Sequence, residues 1–99
     1  MPNQVIYSII NINDHTMFYI GSTNNLTRRV NQHKKSTYNK IHKKYHSKLY
    51  KYIRNNDWDN FVFKILCCNF DGNILEKEQH FINLYNPPLN SIRSSILII

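Results

Sequence analysis

The 99-residue sequence predicts an α+β fold: a small three-stranded antiparallel β-sheet flanked by helices, in the order ββααβα. Three observations lead there. Two β-branched and aromatic runs, VIYSII and MFYIG, lie close together near the start and read as a hairpin. Two polar segments with helical spacing follow them. A third apolar run, DNFVFKILCC, then precedes a last helical segment that Asn86-Pro87-Pro88 must end.

Val5–Ile10 is the first expected strand, the polar NINDHT its turn, and Met17–Gly21 the second strand. Alternation puts Val5, Tyr7 and Ile9 on one face, and Met17, Tyr19 and Gly21 on one face. An odd loop would set Tyr7 opposite Tyr19. STNNLTRRVNQHKK follows as a helix, with Ser, Thr and Asn available as caps. A basic connector, STYNKIHKKYH, leads to a second helix, KLYKYIRNN, which Ser47 can cap. Asn73 can cap the third, with Glu76 three residues on. The expected organisation is one domain over 1–99, with a core of about 4–92 and the apolar tail SSILII docked on its own domain.

The net charge is +7, and its placement matters more than its size. Between His15 and Asn56 there is no Asp or Glu, yet ten of the thirteen basic residues fall there: Arg28, Arg29, Lys34, Lys35, Lys40, Lys43, Lys44, Lys48, Lys51 and Arg54. One-sided charge of this kind favours a polyanion, with nucleic acid leading. The alternative is a solvated basic loop. Cys67 and Cys68 are adjacent, so in a strand they point to opposite faces and cannot build a tetrahedral metal site by themselves. A reduced, intracellular protein is the expectation, with no membrane span.

Polar groups stand where apolar ones belong. Leu26, Arg29, Val30 and His33 share one helical stripe. In the last helix, Ile74, Leu75, Phe81, Ile82 and Tyr85 define the expected buried face, and Glu78 falls in its middle. A desolvated carboxylate needs a cation, either an arginine or a metal. A structural Glu78–Arg29 salt bridge is one answer. The other is a cleft for phosphodiester hydrolysis, in which the carboxylate holds one divalent metal, the arginine stabilises charge on phosphorus, and a phenol or imidazole takes a proton from water. With six acids and no evident inward-facing pair, one metal is favoured over two. No GxxxxGK[ST], HExxH or GxSxG occurs, which removes the NTPase, zincin and α/β-hydrolase readings.

At this point the sequence resembles the GIY-YIG nucleases. VIY (Val5–Tyr7) is similar to the first signature, with Val for the usual Gly, and YIG (Tyr19–Gly21) to the second. GSTNNLTRRVNQH resembles the helix after that glycine. KLYKYIRNNDWDNFVFKIL resembles the middle helix and third strand, and LEKEQHFINLYNPPLN the Glu-bearing helix and closing Asn. The likeness runs from about Val5 to Ile92. It implies a DNA endonuclease with Tyr7 as general base or water-orienting group and Tyr19 as the second active-site tyrosine. Arg29 would be the arginine and His33 its neighbour on the helix. Glu78 would ligate a single divalent cation, Mg²⁺ or else Mn²⁺, with Asn90 and Gly21 in support. Ser22 stands where some relatives carry Lys, so a phosphate contact is absent from that position.

Arg28, Lys34, Lys35, Lys40, Lys43, Lys44 and Lys48 are the expected DNA contacts. No targeting segment is visible, so target choice would rest on the basic connector, DNA shape, a homodimer or a separate protein. A virus or mobile element is one expected source. Two other functions fit the same residues. One is a non-catalytic nucleic-acid-binding module, with Tyr38 and Tyr45 stacking on bases. The other is a protein-interaction domain with a structural polar core.

Overall fold

The computed structural model describes residues 4–91, so the SSILII tail lies outside the described residues. The elements are β1 (Val5–Asn11), β2 (Asp14–Thr23), α1 (Leu26–Tyr38), α2 (Lys48–Asn56), a 3₁₀ turn (Trp58–Asn60), β3 (Phe61–Cys68) and α3 (Ile74–Tyr85). The sheet is antiparallel in the order β2-β1-β3, which is the expected α+β architecture.

β1 is the central strand because it is apolar on both faces. Val5, Tyr7 and Ile9 enter a core with Leu49, Tyr50, Ile53, Phe61 and Leu89. Ile6 and Ser8, on the opposite face, are buried as well. The hairpin is tighter than expected. Asn11 pairs with Asp14, so the loop is only Ile12–Asn13, and a bulge between Ile10 and Asn11 absorbs the rest of the polar segment. The bulge also resets the register: Tyr7 lies opposite Gly21, and Tyr19 opposite Ile9. The two tyrosines therefore share a face as diagonal neighbours rather than as a direct pair, with ring centroids 6.4 Å apart. A second bulge, between Ile6 and Tyr7 against β3, falls beside Tyr7. Bulges of this kind re-aim side chains near sites.

Residues Ser22 and Thr23 continue β2, so the cap of α1 falls three residues later than the first candidate. Asn25 is the N-cap, its side chain accepting the Arg28 N–H at 3.1 Å. Ser47 caps α2 and Asn73 caps α3, both as expected. Asn86 ends α3 in a left-handed conformation (φ 49°), and Pro87-Pro88 follow. α1 packs on α2, and α3 packs on β2 and β1.

The expected buried face of α3 requires correction. No residue of α3 is fully buried; Leu75 is 66% exposed and Tyr85 51% exposed, while Ile74, Phe81 and Ile82 are half-buried. The helix lies against an edge strand and covers it incompletely, so an apolar periodicity overstates its burial. Among the described residues no helix is long and apolar enough to cross a membrane.

Candidate active site

Gly21 explains how the site is built around Tyr7. A Cβ on Gly21 would stand 2.5 Å from the Tyr7 hydroxyl oxygen, 2.7 Å from its Cζ and 2.8 Å from Tyr19 Cε2. The glycine is needed for space rather than for an unusual backbone angle. Next to it, Asn90 holds the outer edge of β2. Its amide oxygen accepts the Ile20 N–H, and its amide nitrogen donates to the Ile20 carbonyl, both at 2.9 Å. An unpaired strand edge is thereby closed between Tyr19 and Gly21 by one side chain.

Tyr7 is 0% exposed and His33 2% exposed. The Tyr7 hydroxyl and His33 Nε2 are hydrogen-bonded at 2.6 Å, and His33 Nδ1 is bonded to the Tyr50 hydroxyl at 2.7 Å. Thus His33, which sits on the polar stripe of α1, is a core residue with both nitrogens engaged. Burial, reinforced by the charges of Arg29 and Lys44, pushes its pKa down to about 4. The ring is neutral at pH 7 and carries one donor and one acceptor. Tyr50 was not among the expected site residues. Its helical spacing reads as core, and only the fold puts its hydroxyl against His33.

Burial also raises the Tyr7 phenol well above the ordinary tyrosine range. Tyr19 adds to the rise, Arg29 opposes it, and Tyr50 and Glu78 add smaller increments. These influences bring β1, β2, α1, α2 and α3 to bear on one hydroxyl. At neutral pH Tyr7 is a neutral phenol.

Glu78 is half-buried, and its carboxylate accepts a hydrogen bond from the Ser22 hydroxyl. The sequence leaves its partner as a cation, either Arg29 or a metal. Ser22 instead orients the carboxylate, which gives a use to the position that looked like a missing phosphate contact. Gly21 and Ser22 are successive residues of an edge strand and point to opposite faces. The site therefore straddles the sheet edge, with the tyrosines on one side and Glu78 on the other. Arg29 lines a groove there of about 440 Å³, with Ser22, Thr23, Arg28 and Ile74.

A second groove of about 350 Å³ runs from Arg29 along Lys35, Ser36, His42, Lys43, Lys44 and Tyr50. Arg29 lines both grooves, so the basic residues form a track through the site. Lys34 lines a shallow depression beyond it with Asn31, Lys35 and Tyr38, and Lys40 is exposed. Lys48 is turned to other use, donating to the Pro88 carbonyl at 3.0 Å. Arg54 likewise works internally. It donates to the Thr37 carbonyl at 2.7 Å and lies 3.6 Å above the Tyr45 ring. Tyr38 accepts the Trp58 N–H at 3.2 Å. Arg54 thus covers one face of the Tyr45 ring, whereas Tyr38 is 49% exposed.

Among the described residues no group of three or more His, Cys, Asp or Glu side chains gathers as a metal site. Glu78 with the Ser22 hydroxyl offers hard oxygen donors and leaves the remaining positions to water and phosphate. That fits Mg²⁺, which keeps several waters, and does not fit a zinc cage.

A family model described as the GIY-YIG catalytic domain matches residues 3–92. The chain belongs to the GIY-YIG family, and a nuclease-type function in general goes with that membership. No curated protein and no solved structure matches it.

Proposed function

We propose that the protein is a metal-dependent DNA endonuclease that hydrolyses phosphodiester bonds at a single-cation site built from Tyr7, Tyr19, Arg29, His33 and Glu78. One observation carries the reading: a buried phenol bonded to a neutral His33 lies under the combined influence of Tyr19, Arg29 and Glu78. A fold gains little stability from gathering such groups, since apolar packing would serve it better. The basic track through Arg29 supplies the matching affinity for a polyanion.

In this scheme Arg28, Lys35, Lys43 and Lys44 neutralise backbone phosphates along the two grooves. Arg29 faces the scissile phosphate and stabilises the charge that builds on its oxygens. Tyr7 and Tyr19 offer two phenolic oxygens to hold and orient the attacking water. His33 fixes the Tyr7 hydroxyl in place. Glu78, oriented by Ser22, would hold the divalent cation, whose chemistry is Lewis-acid stabilisation of the phosphate and leaving oxygens. Asn90 and Gly21 maintain the strand geometry on which the tyrosines depend.

The test is nicking of supercoiled plasmid with Mg²⁺ present. Arg29→Ala and Glu78→Gln should each lower turnover by at least about 10²-fold while the fold persists. Retention of full nicking by Glu78→Gln defeats the proposal.

A further inference from the structure

We infer that Ile41 is a wedge that enters between stacked base pairs of bound duplex DNA and unwinds the step it opens. The inference deepens the nuclease proposal and rests on its DNA partner, but not on cleavage.

Among the described residues Ile41 is the most exposed large apolar side chain, at 90%. Singly exposed apolar residues are common on protein surfaces, so exposure alone decides nothing. The setting decides. Lys40 precedes Ile41, and His42, Lys43 and Lys44 follow it, in a window without Asp or Glu. Lys40, Lys43 and Lys44 are all exposed. Such a turn draws a phosphate backbone to both sides of its apolar tip. An apolar protein partner would match the isoleucine and leave the lysines unpaired. Duplex DNA matches both, with phosphates for the lysines and apolar base faces for the isoleucine.

The turn that carries the tip is held in place. The Ile41 N–H donates to Asn39 Oδ1 at 3.1 Å. The His42 N–H donates to the Asn39 carbonyl at 3.0 Å, and the Tyr45 N–H to the His42 carbonyl at 2.9 Å. The His42 ring is anchored on two sides: Nδ1 accepts the Lys44 N–H at 3.1 Å, and Nε2 is hydrogen-bonded to Ser36 Oγ of α1 at 3.2 Å. A tip fixed before binding loses little freedom on insertion. The turn also lies beside the site. Asn39 and His42, on either side of Ile41, line the groove that reaches Arg29. Lys44 lines a cavity with Tyr19 and Tyr50. DNA in that groove passes the wedge and the site together, and an opened step makes the backbone there easier to deform.

Plasmid topology tests this without reference to turnover. Closed circular plasmid is relaxed by a metal-independent topoisomerase in EDTA with the whole protein bound, the protein is removed, and the linking number is read on a gel. The wild-type protein should lower the linking number, because an inserted side chain untwists the step it opens. Ile41→Leu should do the same. Ile41→Ala should lose the unwinding and weaken binding, read by gel retardation, about tenfold. Ile41→Lys adds charge to the basic turn, so it should bind at least as tightly as wild type yet leave the linking number unchanged. A wild-type protein that binds without changing the linking number overturns the inference, as does unwinding by Ile41→Lys equal to wild type. Absence of DNA binding overturns the inference and the nuclease proposal together. Unwinding in EDTA without nicking in Mg²⁺ defeats the nuclease proposal alone and leaves the wedge standing.

Discussion

Replacing Gly21 by Ala adds a single methyl group, and the structure says where it goes. The new carbon meets the Tyr7 hydroxyl oxygen at 2.5 Å and two ring carbons at 2.7 and 2.8 Å, all below normal contact. Tyr7 cannot yield easily. It is fully buried, and its hydroxyl is tied to His33 at 2.6 Å. Overpacking of a filled site costs about 1–3 kcal/mol. Gly21 does not occupy the positive-φ region, so Ala also recovers about 0.5–1 kcal/mol of backbone entropy. The net loss should be about 1 kcal/mol, which lowers Tm by roughly 4–8 °C in a domain of this size. Urea unfolding measures it: the midpoint should fall with m unchanged. Nicking should fall as well, because the Tyr7 oxygen is displaced. A variant that unfolds at the wild-type midpoint and cuts at the wild-type rate would refute the packing argument.

Acid should weaken the fold through His33. Its folded pKa is lowered to about 4 from 6.5, so the unfolded chain takes up the proton first as pH falls. Stability from this group is complete above about pH 6.5 and is lost between there and pH 4, by up to roughly 3 kcal/mol. Urea midpoints at pH 7.5 and 4.5 should differ accordingly, and His33→Gln should flatten the difference. Asn90→Ala removes both bonds to Ile20 and should cost about 1–3 kcal/mol, with faster amide exchange at Ile20. Exchange at the wild-type rate would assign Asn90 no part in holding β2. Replacing Lys43 and Lys44 by Ala should reduce the slope of log K against log salt for duplex DNA by about 2. An unchanged slope would remove them from the track.

The fold was largely legible because β-branched runs, capping side chains and Asn86-Pro87-Pro88 act locally. Register was not, because the bulge at Ile10/Asn11 depends on how β1 fits between two neighbours. The stripe of Leu26, Arg29, Val30 and His33 pointed to polar groups at a packed interface, and the structure divides them. His33 is buried, and Arg29 opens onto two grooves. Glu78 could be picked out as an acid on an apolar stripe, but its partner Ser22 could not, since the two meet only where α3 crosses the end of β2. Tyr50 was hidden for a related reason. A tyrosine at core spacing looks like Phe until its hydroxyl has a partner, and its partner is 17 residues away on another helix. Within the basic window Lys48 and Arg54 also make internal contacts that the sequence did not reveal, to backbone carbonyls and an aromatic ring.

A single-cation site requires distant side chains to meet where Glu78 can seat the ion. Titrating the isotope-labelled protein with Mn²⁺ tests that by paramagnetic broadening. The amides of Gly21 and Ser22 and the Tyr19 ring should broaden first, and Glu78→Gln should abolish the effect. Broadening confined to other parts of the surface, or unaltered in Glu78→Gln, would contradict the account.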